Sequence, residues 1–149
     1  KLHLITTDKG IYRGFMISPA NSHDYIFLKE LGVKDRHLAN QIMLGNRAYI
    51  GEFIQTTLFA ELALDLQVPY RRNQHDYRPY SAELKIKRKT IEVVFSQYCD
   101  EFNLRKNYAK RFAGFEIRIT TKILVKTFKQ YNNFLNGKLI NQTKHSLVA

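Results

Sequence analysis

The sequence predicts an α/β fold in which a mixed sheet is flanked by helices and a long helix lies near the C-terminal end. Residues 1–17 alternate as strands do, residues 41–44 form a continuous apolar run typical of a parallel strand, and two later segments repeat apolar residues at helical spacing. The chain has 149 residues, which fits one domain with its own core.

The distribution of charge divides the chain into two halves. Residues 1–70 hold seven Lys or Arg and seven Asp or Glu, whereas residues 71–149 hold 17 against six and so carry the whole net charge of +11. A half this basic indicates a polyanion partner, most simply nucleic acid, and a solvated surface that keeps the protein in solution is the alternative. The single cysteine, Cys99, excludes an internal disulfide and fits a reducing compartment. No apolar run approaches the roughly 18 residues of a membrane span.

The first elements are a predicted hairpin and a helix. Residues 1–7 and 11–17 are expected to be its strands, joined by a turn at residues 8–10. A helix with apolar positions Tyr25, Phe27, Leu28 and Leu31 is expected to end at Gly32. The pair His23 and Asp24 is a weak metal motif, and an acid that favours the start of a helix is the simpler interpretation.

The middle of the chain predicts a buried strand at residues 41–44, followed by the polar segment 45–49. The ends of strands in open α/β sheets are where sites are built, so this segment is a candidate. Residues 52–66 predict a helix, and residues 68–70 a short strand that leads into a basic loop with Arg71 and Arg72. Residues 75–80 form an irregular loop in which His75 and Asp76 lack the spacing of a zinc site. The inward positions of the helix are predicted to be Phe53, Leu58, Leu62 and Leu66.

A helix over residues 83–102 is the most clearly amphipathic segment. Glu92 lies at the edge of its apolar face, one turn after Arg88 and Lys89. Either this carboxylate points into a cleft and holds a metal, or it pairs with Arg88 on a solvated flank. The apolar face is predicted to consist of Ile91, Val94, Phe95, Tyr98 and Phe102.

The last helix is predicted over residues 111–135, and residues 136 and 137 end it. Four cations on one face, Arg111, Arg118, Lys122 and Lys129, either follow a phosphate backbone or form an ordinary solvated face. Residues 138–149 are expected to be a frayed polar tail. The buried stripe is predicted to be Ala113, Ile117, Leu124, Phe128, Tyr131 and Leu135.

The order of these elements is that of a ribonuclease H-like fold without its first strand. Together with residues 1–4, four motifs resemble those of DDE transposases of bacterial insertion sequences: PANSHD at 19–24, LGNRAY at 44–49, RKTIEVVFSQ at 88–97 and RFAGFEIRITTK at 111–122. The resemblance runs to about residue 135. It implies a partial catalytic domain over residues 1–135, lacking its N-terminal part, and a tail over residues 136–149.

The resemblance implies a chemistry and a set of site residues. Members of the family cleave and join DNA by phosphoryl transfer, with two Mg²⁺ or Mn²⁺ ions held by two aspartates and a glutamate. Glu92 matches the glutamate, as catalytic residue and metal ligand, and Arg88 matches an arginine poised for phosphate. The second aspartate position is Asn46, and the first aspartate would precede Lys1. This degenerate set predicts weakened metal binding and an inactive chain.

Three hypotheses follow. The chain is a transposase catalytic domain, or a non-catalytic basic module that binds DNA or an active transposase, or a relic without activity. The expected partners are DNA, as insertion-sequence ends and target, and a second copy of the chain, with no membrane. The expected location is the bacterial cytoplasm, close to the nucleoid. The proposed DNA-binding residues are Arg71, Arg72, Arg88, Lys89, Arg111, Arg118, Lys122 and Lys129.

Overall fold

The computed structural model describes residues 1–34, 36–75 and 77–147, and leaves the side chains of residues 31–34 and 145 undescribed. The described chain is a mixed α/β structure, as the sequence predicts. None of its helices is both long and apolar enough to cross a membrane. In chain order the strands and α-helices are β1 (Leu2–Thr6), β2 (Tyr12–Ile17), α1 (Tyr25–Lys34), β3 (Ile42–Leu44), α2 (Glu52–Leu62), β4 (Asp65–Gln67), α3 (Ala82–Phe102) and α4 (Phe112–Leu135).

The chain divides into two compact units. The first contains Lys1 and residues 18–88, and the second contains residues 2–17 and the chain from residue 89 onward. Each unit has its own two-stranded sheet, β3 with β4 in the first and β1 with β2 in the second.

The first unit is built on a parallel strand pair and two packed helices. In register, Ile42 lies opposite Asp65 and Leu44 opposite Gln67. Helix α2 packs against both α1 and β4. The core of the first unit consists of Phe27, Leu28, Leu38, Ile54, Leu58, Leu62, Leu64, Leu66 and Val68.

The second unit confirms the predicted hairpin and the apolar face of α3. Strands β1 and β2 are antiparallel, with Leu2 opposite Ile17. Gly10 closes the turn at φ +75°, and a Cβ there would lie 2.7 Å from Asn141 Nδ2. The core consists of Val94, Tyr98, Ile119 and Ile123, packed against partly buried side chains that include Leu2, Leu4, Phe15 and Phe102.

Several boundaries in the first unit differ from the predictions. Helix α1 continues past Gly32 to Lys34, and α2 ends at Leu62 because Ala63 adopts a left-handed conformation, φ 49°. The predicted strand at 68–70 is therefore found at Asp65–Gln67, which includes Leu66. Phe53 is 82% exposed and Ile42 is 67% exposed, so neither is the inward residue that was predicted. The predicted inward side chain of Leu31 and the residue Asp76 lie outside the described part of the chain.

The buried face of α4 is the opposite of the predicted one. The predicted stripe is exposed, from Ala113 to Leu135. The inward side chains are instead Ile119, Ile123, Lys126, Gln130 and Asn133. Polar groups are tolerated there because each has a hydrogen-bonding role, such as Gln130 Nε2, which donates to Gly10 O at 2.8 Å.

The segment after α4 folds back, so the predicted frayed tail is wrong for residues 138–147. Asn133 Nδ2 lies within hydrogen-bonding distance of the carbonyl oxygens of Leu139, Ile140 and Gln142, at 3.2, 3.3 and 2.9 Å. Thr143 and Ser146 are buried. Residues 148 and 149 lie outside the described chain.

A basic cleft as the candidate functional site

The candidate site lies in the first unit, at the edge where β3 and β4 both end. The carboxyl ends of parallel neighbours meet at one edge of a sheet, which makes this a place where loops from both strands converge. Gly45 N donates to Gln67 O at 2.9 Å and prolongs the pairing by one residue. A Cβ on Gly45 would lie 3.0 Å from Val68 Cγ1 and 3.3 Å from the Tyr49 ring, so glycine permits this close approach.

Asn46 is the first side chain after that close approach. It caps a short 3₁₀ helix, Arg47–Tyr49, in which Asn46 Oδ1 accepts a hydrogen bond from Ala48 N at 2.8 Å. Asn and Asp are both favoured at such a cap because each offers a side-chain oxygen. The side chain is exposed, and its amide brings no negative charge to the site.

The other wall is formed by Pro69, Tyr70, Arg72, residues 77–80, and Lys85 and Arg88 of α3. Ser81 Oγ accepts a hydrogen bond from Leu84 N at 3.2 Å and so caps α3. Lys85 and Arg88 follow, three residues apart and therefore on one side of the helix. The amino end of a helix carries partial positive charge, which adds to the charge of these two side chains.

Together these segments line a cleft of about 680 Å³, which we call the basic cleft. None of the described residues that line it is acidic, so its potential favours an anion over a metal cation. The lining contains five cations, Arg47, Arg72, Arg78, Lys85 and Arg88, three tyrosines, Tyr70, Tyr77 and Tyr80, and Asn46, Ala48, Pro69 and Pro79.

Tyr80 supplies a polar group that lacks a partner within the described chain. Its hydroxyl oxygen is buried and makes no hydrogen bond. Burial raises the pKa of this hydroxyl, and the positive charge of Arg88 offsets part of that rise. A protonated phenol beside a guanidinium can donate to an oxygen of a bound anion.

Tyr49 and Asp24 lie outside the lining of the basic cleft but in the same unit. Burial and the negative charge of Asp24 raise the pKa of Tyr49 to about 12. Asp24 precedes α1 and pairs with Lys1, Nζ to Oδ1 at 3.0 Å. His23 is exposed, and its ring lies 5.8 Å from that of Tyr25.

Three residues that the sequence singles out, Asn46, Arg72 and Arg88, line the basic cleft together. Arg71 is exposed in the adjacent loop, and His75 is exposed. Arg47, Arg78 and Lys85 were missed, although Arg47 follows Asn46 directly and Lys85 precedes Arg88 by one turn. The three tyrosines were missed because the loop over residues 69–81 has no periodicity to assign them a direction.

The other candidates belong to the second unit. Glu92, Lys89, Arg111 and Arg118 are exposed. Lys122 Nζ donates to Asn103 O at 2.8 Å, and Lys129 Nζ lies 3.1 Å from Glu101 Oε2 in a largely buried ion pair. The predicted cationic face of α4 thus has two members that point toward the segment 101–103.

The residues around Asn46 do not fit the pair of divalent cations that the resemblance implies. Two such ions need several carboxylates, whereas this site offers one amide oxygen among five cations. Within the described residues, no three side chains among His, Cys, Asp and Glu form a cluster that could hold a metal. The arrangement is suited to binding anions.

Comparison with known proteins gives one result. The family model described as "Transposase DDE domain" matches residues 1–127, which is most of the chain. Neither a curated protein nor a solved structure matches the chain significantly.

Proposed function

Because the chain belongs to the transposase DDE domain family, we propose that it binds DNA and that the basic cleft holds the phosphate backbone. The observation that supports this is the lining of five cations with no acidic residue among the described ones. Nucleic-acid affinity comes largely from such contacts between basic side chains and phosphates. The same proposal includes two finer assignments: the fold is ribonuclease H-like, and the chain is a transposase domain of a bacterial insertion sequence.

In this proposal the groups of the basic cleft make different contacts with the phosphate backbone. Arg72, Arg78 and Arg88 bind phosphate oxygens, since a guanidinium presents paired donors that match them. The unpartnered hydroxyl of Tyr80 donates to a further oxygen. The amino end of α3 adds partial positive charge to the same site.

DNA cleavage is not expected from the chain with Asn46 in place of an aspartate. The family reaction uses Mg²⁺ or Mn²⁺ to activate the attacking oxygen and to stabilise the leaving one. Asn46 is neutral, and its Oδ1 already accepts a hydrogen bond from Ala48 N. We assign Glu92 as the glutamate of the family set, which lacks the charge of an aspartate at position 46 for holding two dications.

A second candidate function is that of a non-catalytic partner. A domain that binds DNA through the basic cleft without cutting it can occupy an insertion-sequence end, or join an active transposase of the same family. The neutral amide at position 46 combined with the five cations of the described lining favours this candidate. It predicts that the chain inhibits an active relative when both are supplied with the same DNA end.

The binding proposal is tested by fluorescence anisotropy on duplexes of unrelated sequence at two salt concentrations. We expect binding without sequence preference that weakens steeply with salt, since each phosphate contact releases counterions. The double variant Arg72→Glu/Arg78→Glu should lower affinity at least tenfold and reduce the salt slope by about 2.

The matched control is Arg111→Glu/Arg118→Glu, which makes the same change of charge on exposed residues of the second unit. We expect it to have the smaller effect. Equal losses in the two variants would overturn the assignment to the basic cleft, and salt-independent binding would overturn the phosphate contact itself.

The chemistry is tested by conversion of supercoiled plasmid to nicked circle in Mg²⁺ or Mn²⁺, with EDTA as the blank. We expect no nicking by the chain as it stands, because the neutral amide of Asn46 brings no carboxylate charge to the metal site. Metal-dependent nicking by the unmodified chain that is lost in Glu92→Gln would contradict the proposed inactivity. Persistence of DNA binding in Glu92→Gln serves as the folding control.

A further inference from the structure

The connection between α3 and α4 carries two aromatic side chains that the fold leaves in solvent. Tyr108 lies in this connection and is 77% exposed, and Phe112, the first residue of α4, is 64% exposed. They are four positions apart in the chain, so their Cα atoms are separated by at most about 14 Å. Both rings are therefore available to one short segment of a ligand. We call residues 103–112 the aromatic loop.

The aromatic loop is strongly basic. Its ten residues contain four Lys or Arg and no Asp or Glu, which gives it a net charge of +4. All four cations are exposed, and none of them forms an ion pair within the described chain. Glu101, the last acid before the loop, is paired with Lys129, and Glu116 is the first acid after it. The four cations are Arg105, Lys106, Lys110 and Arg111.

The aromatic loop is anchored to the core of the second unit at both ends. Leu104, near its start, and Phe115, just after its end, pack against that core. Asn103 O accepts hydrogen bonds from Lys122 Nζ at 2.8 Å and from Lys106 N at 3.0 Å. Because the loop is held in this way, binding a ligand on its two rings costs less conformational entropy than ordering a free segment would.

Exposed aromatic rings among unpaired cations are suited to one class of ligand, a nucleic-acid strand whose bases are unpaired. The rings stack on the faces of the bases, and the cations contact the phosphates of the same strand. In a duplex the base faces are covered by neighbouring pairs, so the rings of the loop cannot reach them. A purely apolar partner would cover the rings but would also desolvate the cations without pairing them.

A second pair of exposed aromatic residues lacks these cations. Phe53 and Phe59 of α2 are 82% and 62% exposed, which is close to the exposure of the two rings of the aromatic loop. Residues 48–70 around them contain no Lys or Arg and three Asp or Glu. This pair offers rings without phosphate contacts, so it provides a matched control.

We propose that the aromatic loop is a second nucleic-acid site, which binds a single DNA strand by stacking unpaired bases on Tyr108 and Phe112. The cations of the loop hold the phosphates of the same strand. This site goes beyond the basic cleft, which lies in the other unit and is proposed to hold the backbone of a duplex. Only the choice of DNA over RNA rests on the proposed function.

The first test places a fluorescent probe in the aromatic loop of the full chain. The chain contains no tryptophan, so Tyr108→Trp supplies a unique indole, and an indole that stacks on a base loses fluorescence. We expect quenching by a thymidine oligonucleotide of about 16 nucleotides, the upper end of usual site sizes. A duplex of the same length should leave the emission nearly unchanged, and so should the single strand added to the control Phe53→Trp. Absence of quenching by the single strand, or equal quenching by the duplex, would overturn the proposal.

The second test measures affinity by fluorescence anisotropy of the labelled oligonucleotide. Tyr108→Ala/Phe112→Ala should bind the single strand about 25-fold more weakly, since each stacked ring contributes at least about fivefold, and should bind the duplex with less than about a twofold change. Tyr108→Phe/Phe112→Tyr keeps both rings and should retain the affinity. The α2 control Phe53→Ala/Phe59→Ala should retain it as well, and circular dichroism checks that the helices persist in each variant.

Three results of the affinity measurement would overturn the proposal. The first is an unchanged single-strand affinity in the alanine variant of the aromatic loop, and the second is an equal loss in the α2 control. The third is a loss of duplex affinity as large as the loss of single-strand affinity, since the rings would then form no separate site. A uridine oligonucleotide of the same length tests the source of the strand, and tighter binding of this RNA would overturn the choice of DNA.

The phosphate contacts are tested by the salt dependence of single-strand binding. Lys106→Ala/Lys110→Ala should reduce the salt slope by about 1.4, because each phosphate contact on a single strand contributes about 0.7. The variant Arg72→Glu/Arg78→Glu of the basic cleft should weaken duplex binding and leave the slope for the single strand unchanged. If the cleft variant lowered that slope and the loop variant did not, the single strand would belong to the basic cleft and the proposal would be overturned.

Discussion

Lys126 is a buried cation, and the groups around it determine how far burial shifts its pKa. Its side chain is 1% exposed, and Nζ donates to Gln97 Oε1 and, at 3.3 Å, to Asn141 Oδ1. It also lies 5.5 Å from the centre of the Tyr98 ring. Burial lowers the pKa of Lys126 to about 8, against a partial rise from the negative charge of Glu101. Neutral acceptors thus compensate only part of the lost hydration.

The stability of the second unit should therefore rise between about pH 8 and pH 10. In that interval the unfolded lysine still holds its proton while the folded one loses it, so unfolding takes up a proton and its free energy increases with pH. The full effect is on the order of 3 kcal/mol. Urea unfolding followed by circular dichroism at pH 7.5 and 9.5 measures it.

The control for this prediction is Lys126→Met, which keeps the length of the side chain and removes the charge. This variant should flatten the rise of the unfolding free energy with pH, and it should be more stable at neutral pH because no charge remains to be desolvated. Above pH 10 both proteins should lose stability, because burial raises the pKa of Tyr49 and Tyr98 above that of an unfolded tyrosine. If the unfolding free energy of the variant rose with pH as in the unmodified chain, the effect would belong to another titratable group.

At the scale of single elements, the close pairing of β3 and β4 beside the basic cleft requires that residue 45 be a glycine, without a Cβ. Gly45→Ala would place a Cβ 3.0 Å from Val68 Cγ1 and 3.4 Å from Leu66 Cδ1, both on buried residues that have little room to move. We expect a loss of roughly 1–3 kcal/mol in unfolding free energy from this overpacking. Chemical denaturation measures the loss, and DNA affinity should fall with it.

Gly114→Ala is the matched control for that substitution. The added Cβ would meet Ala109 Cβ at 3.8 Å, an ordinary contact, and the position lies in the first turns of α4. Replacing a helical glycine by alanine should stabilise the chain by about 0.5–1 kcal/mol. A change in unfolding free energy of the same sign in both variants would contradict the steric argument at Gly45.

The elements also show where sequence reasoning succeeds. The hairpin and α3 were predicted correctly because their apolar residues alternate or repeat with one clear period and face one core. In α4 the length was predicted and the face was not. The rule that the more apolar face is buried fails there, because the inward polar side chains bond to backbone groups outside the helix. Gln130 bonds to Gly10 O, 120 residues away, and Asn133 to Gln142 O in the segment that folds back after α4.

At the scale of the whole molecule, the basic cleft was only half predictable. Asn46 and Arg88 follow from a motif resemblance and Arg72 from the charge of its loop, but their convergence needs the parallel pairing of β3 and β4. The tyrosines and Arg78 come from residues 69–81, which have no periodic pattern. Sequence alone therefore identified the charge of this region and left its geometry open.

The second unit is discontinuous along the chain, and this has a consequence for synthesis on the ribosome. The hairpin at residues 2–17 emerges before residues 18–88, yet its partners start at residue 89, and Gly10 O receives its hydrogen bond from a side chain 120 residues later. Residues 18–88 can collapse as they emerge, whereas the hairpin must wait until its partners from residue 89 onward have been synthesised. Closing so long a loop is slow, and a waiting hairpin with exposed strand edges is a natural client for chaperones.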